Sequence, residues 1–496
     1  VIGHLVDVEA LCSLPDRHLA ALREALRAAN YDARLVADAE RIAPQQFDAV
    51  RLPLVQAWLS RQPGAGPVLA RLFAYRDTVG RDEVARALTP DLATALEACD
   101  VLWAEGERLR SHLRLLPFGG VWVGSDDADA LHDPVMGPGA TTQELLSALP
   151  SKMPARVLDV GCGAGSLALA AARAGAESVT AIDLDPRAVA FADWNARLNE
   201  LDITTAAGDL LAPVEGRQFD LVIAQPPFVP QPPDVDGTTY LHGGSRGDEL
   251  ALRMLGQLPE VMAPGAKALV LMDTAPAEGQ ALQRIRAALP SQPLQLSVID
   301  ARGHGKHALA LGYAAATDSS LGEVYAQTAR RYLAHCEALG IENTRHALLV
   351  VRKPAPGEPA WAVSVEPRNN TVYDAAAIER LEAALAIATL APTDIRACRV
   401  GPPPGSQLVQ AQSFDEGSGS ELRFVCPHGR APDQSLSGAA ARLLDLASTT
   451  DTVGALIDAY AEACSDAPEQ VESAVLDFLR KALVSGLLEP REESEP

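Results

Sequence analysis

The chain has 496 residues, 48% of them hydrophobic but only 4% aromatic, and a formal net charge of −23. That length suits about three domains, and the acidic balance argues against a generic nucleic-acid binder, whose basic face would show in the total. There is no run of about 18 apolar residues and no signal-peptide pattern, which excludes a helical membrane span and leads us to expect a soluble, cytoplasmic protein.

Residues 1–130 read as a helical domain with a small β element. Leu19, Leu22 and Leu26 fall on one face of a helix over 16–29. Further helices are expected over 66–75, 81–88 and 90–101. Arg108 to Leu116 and Gly120 to Gly124 then read as one hairpin around Pro117. Helices followed by a hairpin suggest a winged-helix module, read either as substrate or nucleic-acid recognition or as a lid or packing domain for the catalytic core, with a substrate-side lid favoured.

Residues 131–353 carry the chemistry. The loop from His132 to Thr142 is rich in turn residues and feeds a helix from about Thr142 to Leu149. It can close over whatever binds at the next strand, although Thr141 and Thr142 are equally plausible as plain helix caps. The stretch Val157-Leu-Asp-Val-Gly-Cys-Gly-Ala-Gly165 reads as a buried strand running into a glycine turn, and then into a helix from Ser166 to Ala174. Gly175 is the expected left-handed cap of that helix. A second strand, Ser178 to Asp183, ends in a carboxylate about 20 residues beyond the glycines, where it can accept both hydroxyls of a ribose. Such a unit binds an adenosine-containing cofactor. The third glycine comes one position earlier than in the dinucleotide fingerprint, and that spacing, with Asp159 inside the strand end, resembles the pattern of the class I S-adenosylmethionine methyltransferases.

Asp185-Pro186 starts the next helix, which runs to about Asn199. A third strand, 203–208, ends at Asp209, which could accept the adenine amino group while Leu210 packs on the ring; Asp209 reads nearly as well as a helix cap. The fourth strand, Phe219 to Ala224, ends in Gln225-Pro226-Pro227-Phe228. Ligands of an open α/β sheet bind beyond the carboxyl ends of its strands. The two prolines fix the backbone and remove two N–H donors, Phe228 offers a flat face for stacking, and Gln225 offers an amide. Together they could hold a nitrogen in line with a sulfonium methyl, where positioning supplies much of the rate. The loop Tyr240-Leu-His-Gly-Gly-Ser-Arg-Gly-Asp248 follows. His242 in it is either a general base or, more simply, a loop histidine. A fifth strand over 268–272, later strands over 294–300 and 347–352, and a helix inserted at 320–338 complete the segment.

These residues carry a resemblance. The pieces V-L-D-V-G-C-G-A-G, A-I-D-L-D-P, G-D-L, x-P-P-F and H-G-G-x-x-G-D are similar to those of the class I S-adenosylmethionine (SAM) methyltransferases grouped with the release-factor glutamine methyltransferases and with relatives that methylate RNA or DNA adenine N6. Residues 1–130 also resemble the N-terminal module of an actinobacterial branch of methyltransferases. The resemblance implies a Rossmann-like α/β core with a mostly parallel seven-stranded sheet. It implies cofactor contacts from Asp159, Gly161, Gly163, Asp183 and Asp209, and the neighbours Cys162, Gly165, Leu184, Leu210 and Gln225 complete the expected cofactor pocket. Gln225, Pro226, Pro227 and Phe228 are the expected catalytic stretch, and Phe228, Tyr240, His242 and Gly243 the expected substrate contacts. One departure matters: the family has Asn or Asp before Pro-Pro, and this chain has Gln225. The extra methylene moves the amide by about one bond length, close to the ~1 Å misplacement that costs about 100-fold in rate. Either the surrounding loop compensates or the acceptor differs, and the departure favours a hydroxyl, a carboxylate or a small-molecule amine over a housekeeping substrate such as a release factor or ribosomal RNA.

Residues 354–496 are additional. Pro354 to Pro359 and Gly401 to Gly405 read as breaks around an α/β segment, followed from about Glu421 by a strand and helices near 437–447, 452–464 and 467–483. This is similar to the winged-helix peptide-chaperone domains of modified-peptide pathways, and a packing or homodimerisation domain reads equally well. The tail from Arg491 to Pro496 is expected to fray. The seven cysteines, at 12, 99, 162, 336, 398, 426 and 464, contain no C-x-x-C pair and read as free thiols in a reducing compartment, with no zinc site. The leading expectation is a SAM-dependent methyltransferase acting on a nitrogen or oxygen of a peptide, a protein or an amino-acid-derived natural product. An RNA or DNA adenine methyltransferase is the first alternative, and a SAM-binding protein without methyl transfer is the second.

Overall fold

The structure is a computed structural model that describes residues 4–42, 48–127, 133–236, 238–275, 281–317, 321–368, 372–412, 420–426 and 430–491. His132 and the tail beyond Arg491 lie outside the described residues. The chain divides into two compact units, Val1–Ser291 with Gly303–Arg345, and Gln292–Arg302 with His346–Pro496.

In the first unit, strands Arg156–Val160, Ser178–Asp183, Thr204–Ala207, Phe219–Ala224 and Met262–Thr274 form a parallel sheet. The first strand pairs with the second, and the second with the third. The chain then returns to the other side of the first strand with the fourth, and the fifth pairs with the fourth. The strands are near-continuous apolar runs because helices cover both faces; Val157, Leu158, Leu221, Val222, Ile223, Leu269 and Val270 are fully buried or nearly so. The order reverses between the first and fourth strands, and a crevice opens there beyond their carboxyl ends.

Helix Pro186–Asn199 connects this sheet to the chain's beginning. Asp185 caps it by accepting the Arg187 N–H, and Pro186 fills the first helical position. Its last two turns carry Asn195 and Asn199, both buried. Asn195 accepts the Gly124 N–H at 2.7 Å and donates to the carbonyls of Gly124 and Ala164. Asn199 pairs in the same way with the backbone of Trp122. At the other end of the helix, Arg187 holds the buried Asp126 carboxylate and the Val6 carbonyl. Asn195→Ala strands three buried backbone groups at once and should destabilise the first unit by about 3 kcal/mol, read as a lower melting temperature. An unchanged melting temperature would show that water replaces the amide.

The early residues differ from expectation in two ways. Helices Asp16–Ala28, Arg81–Leu88 and Pro90–Ala98 form where the pattern puts them. Helices Val8–Cys12, Ala33–Glu40 and Asp48–Leu59 do not appear in the sequence reading; two are short, and Pro53 inside the third reads as a breaker. The single hairpin around Pro117 is in fact two. Leu102–Glu105 pairs with Arg108–Ser111, and Arg114–Phe118 pairs with Val121–Ser125. Pro117 lies within a strand opposite Trp122, and the reversal falls on Gly119 and Gly120, both with positive φ, as a two-residue hairpin turn needs.

The expected inserted helix is a pair, Lys306–Thr317 and Glu323–Ala338. The first of them is alanine-rich, which hides its apolar stripe from periodicity.

In the second unit, strand Trp361–Val365 pairs with residues 295–299 in parallel. Gln407–Gln412, Ser420–Val425 and Gln434–Leu436 form an antiparallel meander. Helices Ala375–Ala388, Gly438–Thr449, Val453–Cys464 and Pro468–Ser485 pack around Leu381, Leu385, Leu444, Ile457, Val475 and Leu479.

Candidate functional site

The sheet register sets the site. Val160 pairs with Ala224, so Gly161 and Gln225 leave neighbouring strands side by side. The glycine turn is pinned by the N–H groups of Gly161 and Cys162, which donate to the Ile182 carbonyl at 2.8 and 3.0 Å. Gly161 has φ +70, and a side chain there would meet nothing within 4 Å: the turn needs glycine for its backbone and opens onto space that a ligand can enter. Gly165 serves packing instead, since a Cβ there would lie 3.0 Å from Ala192. Cys162 is buried, and burial pushes its thiol well up, so it is an inert wall rather than a nucleophile.

Asp159 lies beneath this turn, 3% exposed. Its carboxylate accepts the Ala168 N–H at 2.9 Å, in the first turn of helix Ser166–Arg173. Burial pushes its pKa up to about 7, the Ala168 bond opposing. Asp159 therefore supports the turn from inside by holding the start of the helix that follows it.

Asp183 stands at the end of the second strand, half-buried. Its carboxylate accepts the N–H groups of Gly163 at 2.8 Å and Asp185 at 3.0 Å. A carboxylate offers about four lone-pair positions, so both ribose hydroxyls can still be accepted. Burial raises its pKa, and the two backbone bonds act against that. Leu184 beside it is 59% exposed, an apolar side chain in the open next to this carboxylate. Asp209 is exposed and pairs with Arg253 at 2.7 Å. Leu210 takes φ +48, a left-handed conformation that is rare for a bulky residue and a mark of functional sites. The Gly208 N–H donates to the Asp183 carbonyl, which ties this turn to the ribose end. The open turn, the spare lone pairs of Asp183 and the exposed Leu184 together fit an adenosine-bearing cofactor.

On the acceptor side, Gln225 does not point freely into the crevice. Its Nε2 donates to Thr141 Oγ1 at 2.6 Å, and Thr142 Oγ1 donates to its Oε1 at 3.5 Å. Both threonines lie in the first turn of helix Ala140–Ala148. Pro226 is buried, and Pro227 and Phe228 are half-buried. The Pro227 and Phe228 carbonyls are turned to the next loop: a Cβ built on Gly243 would be 2.2 Å from Pro227 O, and one on Gly247 2.4 Å from Phe228 O. The short strands Val229–Pro230 and His242–Gly244 then run in parallel. Asp248 anchors the far end of this loop through a bidentate pair with Arg284, and Arg246 donates to the carbonyls of Leu339 and Ala275.

Phe228 packs on a small core that includes Val229, Val235, Leu309, Tyr332 and Cys336, so the helix pair Lys306–Thr317 and Glu323–Ala338 lies against the strand end. His242 joins the two. Its Nδ1 accepts the Thr238 N–H at 3.0 Å, and its Nε2 lies 2.7 Å from the Tyr332 hydroxyl. A backbone N–H can only donate, so Nδ1 carries the lone pair and Nε2–H donates to Tyr332. Burial lowers the His242 pKa. His242 is half-buried, and its one basic nitrogen is already engaged by the Thr238 N–H. Tyr240 is half-buried at the start of this loop.

The loop ahead of the first strand closes over the turn. The Met136 carbonyl accepts the Ala164 N–H at 3.4 Å, and Asp133 accepts the Thr239 N–H at 2.7 Å. Sequence reasoning missed Tyr332, the Asp133–Thr239 bond and the engagement of Gln225 by the two threonines. No local signal could have shown them, because the partners are 83 to 106 residues apart.

Comparison with known proteins agrees with this geometry. The family described as Methyltransferase small domain matches residues 138–239. A protein of Methanocaldococcus jannaschii named as a protein N5-glutamine methyltransferase is 30% identical over 160 residues, 32% of this chain and 81% of that protein. The release factor glutamine methyltransferase of Koribacter versatilis is 33% identical over 146 residues, 26% of this chain and 52% of its own length. The ribosomal protein L11 methyltransferase of Thermotoga petrophila is 50% identical over 68 residues, 14% of this chain and 25% of that protein. The chain thus spans most of the first relative but only about half of the second and a quarter of the third. Its cofactor is S-adenosylmethionine, and it is an enzyme. With the glycine turn, the Asp183 carboxylate and the Pro-Pro-Phe strand end on one edge of a parallel sheet, the chain belongs to the class I SAM-dependent methyltransferases, in the group of the protein glutamine methyltransferases.

Proposed function

We propose that this enzyme methylates a side-chain nitrogen of a peptide or protein, a glutamine amide in the first instance, held at Gln225-Pro226-Pro227-Phe228. The observation that carries this reading is the register that places Gln225 beside Gly161: the acceptor stretch adjoins the cofactor turn. The cofactor supplies an electrophilic sulfonium methyl; as the C–N bond forms the S–C bond breaks, and one amide proton is released to solvent. An amide nitrogen is a weak nucleophile, so the chain's contribution is orientation. The Gln225 amide oxygen and the Pro226 carbonyl accept the acceptor's N–H, and Phe228 lies under its flat amide plane. Asp183 holds the ribose, and Asp209 and Leu210 border the adenine.

The names of the relatives, which specify glutamine and ribosomal protein L11, support a protein acceptor. The net charge of −23 supports it over nucleic acid. A peptide destined to become a natural product is a narrower form of the same substrate class. The order of strand Val79–Gly80, two helices, and the strands Leu102–Glu105 and Arg108–Ser111 supports a winged-helix-like reading of the N-terminal segment as a recognition module. Free thiols at all the cysteines support a cytoplasmic setting.

The test is incubation of the full chain with methyl-labelled SAM and extract of its source. Label that resists mild base and is released by protease, on glutamine by mass spectrometry, is the expected result. Release by nuclease would instead favour the adenine-methylating alternative, and base-labile label would mean a carboxylate acceptor. Phe228→Ala should lower transfer about 100-fold with SAM affinity unchanged; full transfer would place the acceptor elsewhere.

A further inference from the structure

Gln225 is the one position where this chain departs from the Asn or Asp of its group, and the structure shows what the longer side chain does. It reaches back to helix Ala140–Ala148, where its Nε2 donates to Thr141 Oγ1 at 2.6 Å and its Oε1 accepts from Thr142 Oγ1 at 3.5 Å. The Thr142 hydroxyl is itself fixed, since it accepts the Gly139 N–H at 3.2 Å. The amide nitrogen is therefore held by one hydroxyl of this helical turn, and the amide oxygen lies at the far edge of hydrogen-bond reach of a second. An asparagine at 225 would fall short of Thr141 by one methylene.

We propose that Thr141 and Thr142 are positioning residues for methyl transfer, which hold the Gln225 amide so that its remaining oxygen lone pair meets the acceptor at a fixed point. This rests on the strand end being the acceptor site. A glutamine left to itself samples three side-chain torsions and would have to be ordered in each catalytic cycle. The threonine pair orders it beforehand, and the extra methylene then costs nothing in placement. The pair also makes the loop over residues 133–139 part of the acceptor site, because that loop leads straight into the turn that holds Gln225. The cap reading of the two threonines is only half of their role: Thr142 caps the helix through Gly139, and Thr141 has no part in that bond.

The test uses the full chain in four forms: unaltered, Thr141→Val, Thr141→Ser and Gln225→Ala. The first readout needs no acceptor. The Gln225 side-chain NH₂ signal is identified in a ¹⁵N spectrum by its loss in Gln225→Ala, and its exchange with solvent is followed. Slow exchange is expected in the unaltered chain and in Thr141→Ser, and fast exchange in Thr141→Val. Fast exchange in the unaltered chain, or equally slow exchange in Thr141→Val, overturns the inference. The second readout is transfer of labelled methyl from SAM to the protein fraction of extract. Thr141→Val should lower kcat at least about 10-fold with KM for SAM unchanged, and Thr141→Ser should restore it to within about threefold. If Gln225→Ala transfers normally, the strand end is not the acceptor site and both readings fall. If Gln225→Ala is inactive while Thr141→Val transfers normally, the positioning role alone falls and the acceptor site stands.

Discussion

Asp183→Ala should weaken SAM binding by more than about 100-fold. This carboxylate has two tasks. It accepts the backbone N–H groups of Gly163 and Asp185, and in the proposed function its remaining lone pairs accept the two ribose hydroxyls. Hydrogen bonds to a charged group contribute about 1.5–3 kcal/mol each, so losing both ribose bonds alone removes about 3 kcal/mol or more, which is a hundredfold. The substitution also releases the glycine turn. Calorimetric titration with SAM measures the effect directly. Asp183→Asn should fail nearly as badly, since its NH₂ would face one of two N–H donors. An affinity within threefold of the unaltered enzyme, in either variant, would sink the assignment of the ribose site.

Gly243→Ala should lower methyl transfer by about 100-fold and leave SAM affinity as it was. A Cβ at this position would lie 2.0 Å from Gly247 O and 2.2 Å from Pro227 O, both backbone atoms. Neither can swing away as a flexible side chain would, so the loop or the Pro-Pro strand end has to move. A displacement of about 1 Å at a reacting centre is enough for a loss of this size. The cofactor half of the site, at Gly161 and Asp183, belongs to the neighbouring strands and should not feel the change. Transfer to the protein fraction, run beside a SAM titration, separates the two halves. A variant that transfers normally would mean that the 240–247 loop does not shape the acceptor pocket.

What the sequence reveals and what it conceals follow from distance along the chain. The glycine turn, the helix cap at Asp185-Pro186, the carboxylate of Asp183 at a strand end and the Pro-Pro-Phe strand end are local patterns, and each lies where its spacing puts it. The contact of Thr141 with Gln225 spans 84 residues, and that of His242 with Tyr332 spans 90. Only the sheet order and the inserted helices bring those partners together, and neither leaves a trace in the spacing of residues. His242 is an instructive case. Sequence can offer it as a base, but the tautomer that Thr238 imposes withdraws its lone pair. Pro117 shows the opposite error: a residue read as a turn-maker occupies a strand, because two adjacent glycines make the turn more easily.

Asn195 gives the architecture a mechanical meaning. One amide holds Ala164, inside the cofactor turn, and Gly124, in the hairpin contributed by the early part of the chain. Helix Pro186–Asn199 thus acts as a beam between the glycine turn and the early segment of the chain. Ligation at one end stiffens the other, since whatever binds only the folded turn stabilises every part that must unfold with it. The early segment belongs to the binding machinery in the thermodynamic sense, and a shortened enzyme that keeps every pocket residue but loses this segment would lose affinity along with rigidity.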